Sequence, residues 1–143
     1  MMAISHVLVP YDGSLHSQRA LERAATLAEG LQAELEILYV DSATVDELRQ
    51  PLIMTSSELE AYFDHKEDEV RRNLREMISR IPNAKTVIIC GSAAKGIVDY
   101  SRQSKPDLII MGSRGLNTMG EFMKGSVSRY VTQRASAPVM IVK

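Results

Sequence analysis

Five short runs rich in valine, isoleucine and leucine recur along the chain, and each has the length of a strand. Between them lie longer stretches in which apolar residues return every three or four positions, the spacing of one helix face. The runs predict strands at residues 4–9, 34–40, 86–90, 108–111 and Val139–Val142. The chain therefore alternates strands with helices.

The first helix is predicted to open after Ser14 and to end near Gly30. A serine hydroxyl suits the N-cap position, and glycine is common where helices end. The small and aliphatic residues of this helix share one face, which we expect to be buried: Leu21, Ala24, Ala25, Ala28 and Leu31.

Three further helices complete the pattern. The second is predicted to begin near Ser57, where Glu60 three residues on forms a capping-box pattern, and to stop at Pro82. The third is predicted over residues 93–103. The fourth follows Gly125 and Ser126, and the residues of its apolar face are Val127, Tyr130, Val131 and Ala135.

This alternation favours an open α/β fold, in which parallel strands are joined by right-handed crossovers and helices cover both faces of the sheet. The nearly continuous apolar character of the strands agrees, because parallel strands are buried on both faces. Residues 41–55 and 114–124 interrupt the pattern and are predicted to be long loops. Ligands bind such sheets at the carboxyl ends of the strands, so the residues that follow strands are the functional candidates.

The length, hydrophobic content and charge of the chain limit the kinds of protein that it can be. The chain has 143 residues and is 45% hydrophobic, which is enough for one domain over residues 1–143. Seventeen basic residues against 18 acidic residues give a formal charge of -1, which argues against a nucleic-acid partner. No apolar run approaches the ~20 residues that span a bilayer.

The single cysteine, Cys90, lies in an apolar run and can form no internal disulfide. We expect a buried, unreactive thiol, which favours a reducing compartment. The first apolar run is too short for a signal-peptide core and lacks a basic leader. These features predict a cytoplasmic protein without a membrane segment.

The most informative stretch surrounds the predicted long loop after the fourth strand. Gly112 and Gly115 are followed, after nine residues, by Gly125 and Ser126 at the head of a helix. Glycines let backbone N–H groups approach phosphate oxygens, and a helix N-terminus adds unpaired N–H groups and the positive end of a dipole. Each residue alone could simply form a turn or a cap, but together they predict a phosphate site.

The sequence does not fit two other classes of protein that bind nucleotides or accept phosphate. A P-loop needs lysine after its second glycine, whereas Gly96 is followed by isoleucine and Gly120 by glutamate. A response-regulator receiver would need an aspartate after the third strand, and that strand ends at Cys90 and Gly91.

The glycine spacing resembles the ATP-binding signature of the universal stress protein family, and the resemblance extends along the whole chain. It includes four segments that match the family's first strand and turn, third turn, fourth strand and closing strand: residues 7–14, Gly91, residues 106–112 and residues 138–142. The resemblance implies a Rossmann-like sheet of five parallel strands in the order 3-2-1-4-5, similar to adenine nucleotide alpha hydrolases.

The resemblance also implies an adenine-nucleotide site that holds ATP and Mg²⁺. Asp12 would lie near the ribose or the divalent cation, and Val40 would meet adenine through its backbone. The residues implied to form the site are Pro10, Tyr11, Asp12, Val40, Met111, Gly112, Arg114, Gly115, Gly125, Ser126 and Val127.

Some of these residues have a simpler interpretation. Asp12 could stabilise the turn that follows the first strand, and Arg114 could point into water. The histidines His6, His16 and His65 fall in different predicted elements without metal-ligand spacing, so no chemistry is assigned to them.

The resemblance therefore implies an ATP-binding stress-response or signalling module. A slow ATP hydrolase is the enzymatic alternative, although no water-positioning residue or second substrate site is evident. The other alternative is an interaction scaffold without nucleotide. Val139–Val142 is expected at a sheet edge, which invites a partner, and the resemblance implies a homodimer through this strand.

Overall fold

The computed structural model describes residues 3–41, 52–53, 57–58, 61, 69–81, 83–113 and 126–143 of the chain. Six strands in these ranges form one sheet: β1 His6–Tyr11, β2 Glu34–Asp41, β3 Leu52–Ile53, β4 Lys85–Cys90, β5 Leu108–Gly112 and β6 Val139–Val142. The order across the sheet is β3-β4-β2-β1-β5-β6. All neighbours are parallel except β3, which runs antiparallel to β4.

Five of these strands are the predicted ones, and their parallel order 3-2-1-4-5 is confirmed. The first begins at His6 rather than at residue 4 and continues to Tyr11. The short strand β3 is a correction, because residues 41–55 were predicted to form a loop. It pairs Leu52 with Ile88 and Ile53 with Val87, so it covers part of the edge of β4. Two residues are too few to produce a strand periodicity.

Four helices whose bounds lie within the described ranges connect the strands: α1 Leu15–Leu31, α2 Glu69–Arg80, α3 Ala93–Ser104 and α4 Ser126–Arg134. Ser57, Glu58 and Ala61 are also helical, which agrees with the predicted start of the second helix. Glu60 of the proposed capping box lies outside the described residues. No helix in the described ranges combines the length and the apolar character that crossing a bilayer requires.

The start of α1 is set by the residue that the sequence predicted, but its end is not. Ser14 is the N-cap as predicted, and its hydroxyl oxygen accepts a hydrogen bond from the Ser17 N–H at 3.1 Å. The prediction that Gly30 ends the helix is wrong. Gln32 takes the left-handed conformation, with φ 53°, and Ala33 donates its N–H to Ala28 at 2.8 Å. A non-glycine residue therefore forms the cap, and Gly30 stays helical.

The sheet divides the interior into two cores. The α1–α2 core contains Val7, Val9 and Tyr11 of β1, and the α3–α4 core contains Leu8 of the same strand. Successive β1 residues thus face opposite sides, and helices cover both faces as predicted.

The predicted apolar helix faces are largely confirmed. Leu21, Ala24 and Ala28 are buried in the α1–α2 core. Leu31 is an exception, because its position in the last turn of α1 leaves it 45% exposed. Val131 of α4 is fully buried in the α3–α4 core, where its predicted companions pack beside it.

A substitution at Gly30 tests whether this residue ends α1. A Cβ at this position would meet no atom within 4 Å, and the residue is exposed inside the helix. Gly30→Ala should therefore raise the free energy of unfolding by about 0.5–1 kcal/mol, because alanine loses less backbone entropy in a helix. Urea unfolding followed by circular dichroism measures the change. A loss of stability would mean that Gly30 is needed as a terminator.

Candidate functional site

The carboxyl ends of the parallel strands form one edge of the sheet, called the carboxyl edge below. β1 ends there at Tyr11, β2 at Asp41 and β5 at Gly112. The described members of the implied site that reach this edge are Pro10, Tyr11, Asp12, Val40, Met111 and Gly112. The structure thus brings together residues that are far apart in sequence, at the place where open α/β sheets bind ligands.

Asp12 builds the turn between β1 and α1. Its Oδ1 accepts a hydrogen bond from the Ser14 N–H at 2.8 Å, and its own N–H donates to the Ser17 hydroxyl at 3.4 Å. Gly13 follows with φ 87°, a conformation that L side chains rarely adopt. The turn-stabilising interpretation of Asp12 therefore holds, and it fixes the carboxylate at the carboxyl edge.

The side chains of Tyr11 and Val40 point into the protein. Tyr11 is 1% exposed in the α1–α2 core, and Val40 is 2% exposed in the α3–α4 core. Burial and, to a smaller extent, the Asp12 carboxylate raise the pKa of Tyr11 to about 12, so its phenol stays neutral. Both residues can therefore offer a ligand only backbone groups, which is the role that the family resemblance implies for Val40.

Gly112 has a packing role that the sequence did not reveal. A Cβ at this position would lie 2.7 Å from the carbonyl carbon and 2.8 Å from the Cβ of His16. These distances are shorter than any real Cβ contact, and the obstructing atoms belong largely to backbone. Glycine is therefore required here for the first turn of α1 to pack against the end of β5.

His16 and Ser113 are the residues that sequence reasoning missed. The Ser113 hydroxyl and His16 Nδ1 are 3.0 Å apart, which is hydrogen-bond distance. Ser113 also donates its N–H to the Val142 carbonyl at 2.9 Å, and its carbonyl accepts from the Ser128 hydroxyl at 3.5 Å. The residue that opens the glycine loop is thus tied to α1, to β6 and to α4.

One signal in the sequence could have found His16. It lies in the first turn of a helix that follows a strand, and this turn faces the carboxyl edge of a parallel sheet. The sequence separation between His16 and Ser113 does not predict their contact, because that contact depends on how α1 packs against β5.

The last helix begins at the same edge. α4 starts at Ser126, and Val127 packs partly buried against the α3–α4 core. The first N–H groups of a helix have no partner within it, so this terminus can bind an anion. Three implied site residues, Arg114, Gly115 and Gly125, lie outside the described residues, as does the Ser126 side chain.

Asp12 was also implied as a metal ligand. Over the described ranges, no group of three or more histidine, cysteine or acidic side chains could hold a metal ion. A lone carboxylate does suit Mg²⁺, which is usually bound through one or two carboxylates together with substrate phosphates and water. Asp12 can supply one such carboxylate.

Comparison with known proteins agrees with this fold. The family model described as the universal stress protein family matches residues 3–143. Universal stress protein YxiE of Bacillus subtilis is 34% identical, over 96% of this chain and 97% of that protein. The chain belongs to the universal stress protein family.

Two solved structures show the same architecture. Universal stress protein UspA from Lactobacillus plantarum has a TM-score of 0.72 and 30% identity, and the match covers 100% of both chains. A universal stress protein in complex with cAMP has a TM-score of 0.71 and 26% identity, over 99% of both chains.

The packing role of Gly112 predicts a loss of stability on substitution. Gly112→Ala should lower the free energy of unfolding by about 1–3 kcal/mol, because the added methyl group forces α1 away from β5. Urea unfolding measures the change, and Gly30→Ala is the matched control, with an effect of opposite sign. Equal stability of Gly112→Ala and the unmodified chain would contradict the close approach at His16.

Proposed function

We propose that the chain binds ATP with Mg²⁺ at the carboxyl edge and acts as a nucleotide-dependent stress-response or signalling module. The observation that carries this proposal concerns the two ends of the glycine loop. β5 delivers Gly112 and Ser113 to the carboxyl edge, and α4 starts from the same edge, as the contact between Ser128 and Ser113 shows. Ser113, at the end of β5, and the first turn of α4 therefore meet at the carboxyl edge.

The chemistry of this arrangement suits a triphosphate. The N-terminus of α4 supplies unpaired N–H groups, and Gly115, Gly125 and the Ser126 hydroxyl would complete the phosphate cradle. Arg114 would act as a flexible counter-charge. Met111 and Gly112 would line the path from ribose to phosphate, with Pro10 and Tyr11 beside them and Val127 behind the phosphates.

Adenine would be recognised through backbone at Val40, because that side chain is buried. Asp12 would bind the ribose or the magnesium ion through its carboxylate. The solved relative in complex with cAMP supports an adenine nucleotide as the ligand, and it makes cAMP the first competitor to test.

We expect the chain to act as a nucleotide sensor rather than as an efficient enzyme. Phosphoryl transfer to water needs a residue that positions the attacking water, and the proposed site assigns that role to none of its members. Hydrolysis is therefore expected to be slow. A cytoplasmic location and a single domain over residues 1–143 remain predictions of the sequence.

The nucleotide proposal is tested by calorimetric titration of ATP with Mg²⁺, and separately of cAMP, into protein freed of bound nucleotide. The unmodified chain should bind ATP, and the double variant Gly115→Val, Ser126→Ala should lose at least tenfold in affinity, because the phosphate cradle is blocked and loses a donor. The matched control is Gly30→Ala, Ser79→Ala, which changes a glycine and a serine on exposed helix surfaces. Tighter binding of cAMP than of ATP would reassign the ligand, and no binding of either would refute the proposal.

A second candidate function is pairing between two copies through β6. This strand lies at the sheet edge, as predicted, and its neighbour on the other side is β5. Met140 is 43% and Ile141 39% exposed, on opposite faces of the strand. An exposed apolar edge strand is a template for another strand, and antiparallel pairing of two β6 strands would cover both edges in one symmetric interface.

Light scattering during size-exclusion chromatography tests this pairing. The unmodified chain should elute as a dimer, and Met140→Lys, Ile141→Lys should shift it to monomer, because charges at the edge disfavour pairing. Leu31→Lys is the control, since Leu31 is 45% exposed but lies at the end of α1. A monomeric unmodified chain, or dimers unaffected by the two lysines, would count against the interface.

A further inference from the structure

Ser113 is the residue at which three other elements meet the end of β5. Its N–H donates to the Val142 carbonyl of β6 at 2.9 Å, and its carbonyl accepts from the Ser128 hydroxyl of α4 at 3.5 Å. Two neighbouring elements thus hold its backbone. A third element holds its side chain, since the Ser113 hydroxyl lies 3.0 Å from Nδ1 of His16 in α1.

The hydrogen bond between His16 and Ser113 is supported by the packing of the two backbones. Gly112, the residue before Ser113, lies so close to His16 that a Cβ on the glycine would be 2.7 Å from the His16 carbonyl carbon. The start of α1 and the end of β5 are therefore in direct contact where the two side chains meet. Both side chains are half-buried, which reduces the competition from water for their hydrogen bond.

Ser113 is also the residue from which the chain enters the glycine loop. Arg114 and Gly115 follow it directly, and Gly125 precedes the first residue of α4. The proposed function assigns these residues to the triphosphate. The direction in which the chain leaves β5 is set at Ser113, so a group that fixes Ser113 also fixes the start of the segment that would bind phosphate.

We propose that His16 is a positioning residue of the nucleotide site, and that it acts through its hydrogen bond to Ser113. This inference rests on the proposed function, and it adds a residue outside the set that would contact the nucleotide. Residues that are already fixed in the free protein lose less conformational entropy when a ligand binds, so preorganisation raises affinity. His16 should therefore strengthen ATP binding without touching ATP.

A purely structural role for His16 makes a different prediction. In that case its loss would change the stability of the fold, and it would affect ATP binding no more than the loss of another side-chain hydrogen bond of α1. Thr26 provides such a bond, because its hydroxyl donates to the Glu22 carbonyl at 3.2 Å. Thr26 is exposed and lies about 15 Å further along the helix than His16, at 1.5 Å per residue.

Two substitutions of His16 separate the hydrogen bond from the bulk of the side chain. His16→Leu keeps a large side chain but can neither donate to Ser113 nor accept from it. His16→Asn offers both an amide N–H and a carbonyl oxygen, so it can form the hydrogen bond in whichever direction the tautomer of His16 sets it. Asparagine should therefore restore the binding that leucine loses.

The measurement is calorimetric titration of ATP with Mg²⁺ into the full chain, freed of bound nucleotide. His16→Leu should weaken the affinity about three- to tenfold, which corresponds to the loss of one hydrogen bond. His16→Asn should keep most of the affinity. Thr26→Val, the control, should bind like the unmodified chain. Urea unfolding establishes that each variant is folded under the conditions of the titration.

Ser113→Ala tests whether His16 acts through Ser113, because it removes the hydroxyl and leaves the backbone hydrogen bonds of this residue in place. The double variant His16→Leu, Ser113→Ala should bind ATP no more weakly than either single variant, since both changes remove the same hydrogen bond. Hydrogen exchange followed by NMR adds a measurement without nucleotide. The Ser113 N–H should exchange faster in His16→Leu than in the unmodified chain or in His16→Asn.

The positioning role is overturned if His16→Leu binds ATP as tightly as the unmodified chain, or if His16→Asn binds as weakly as His16→Leu. It is also overturned if the losses of the two single variants add in the double variant, because His16 would then act by another route. Each of these results leaves ATP binding by the unmodified chain, and thus the proposed function, intact. Failure of the unmodified chain to bind ATP would instead refute the proposed function and the positioning role together.

Discussion

The contact between Gly112 and His16 is the constraint on which the carboxyl edge depends. Because no Cβ fits between them, the first turn of α1 lies directly against the end of β5. This approach places Ser113 within hydrogen-bond distance of His16 and holds the turn at Asp12 beside the start of the glycine loop. Because Gly112 has no side chain, β5 and α1 can thus lie in the positions that the proposed nucleotide site requires.

Much of the fold follows from the sequence, because its signals are local. The apolar runs and the helix periodicity identify five parallel strands and four helices, and Ser14 sets the start of α1. Features set by tertiary packing could not be predicted from these local signals. Gln32 rather than Gly30 caps α1, two residues of β3 add to the edge of β4, and His16 meets Ser113 across 97 positions of sequence.

The two edges of the sheet offer opposite electrostatics. At the carboxyl edge, the N-terminus of α4 and the glycine-rich spacing suit an anion such as a phosphate. At the opposite edge of the sheet, the C-terminus of α3 carries the negative end of a helix dipole. This polarity is a consequence of the crossover topology, because the described connecting helices run antiparallel to the parallel strands and point their positive ends at the same edge. The residues of the candidate site were predicted from sequence because they lie at or after strand ends, and this assignment stays a prediction.

The most direct test of the central claim is mass spectrometry of the small molecules released from freshly purified protein by denaturation. We expect ATP in an amount comparable to that of the protein, accompanied by magnesium. Absence of any adenine nucleotide from the released material, together with failure of the folded protein to take up added ATP, would contradict it.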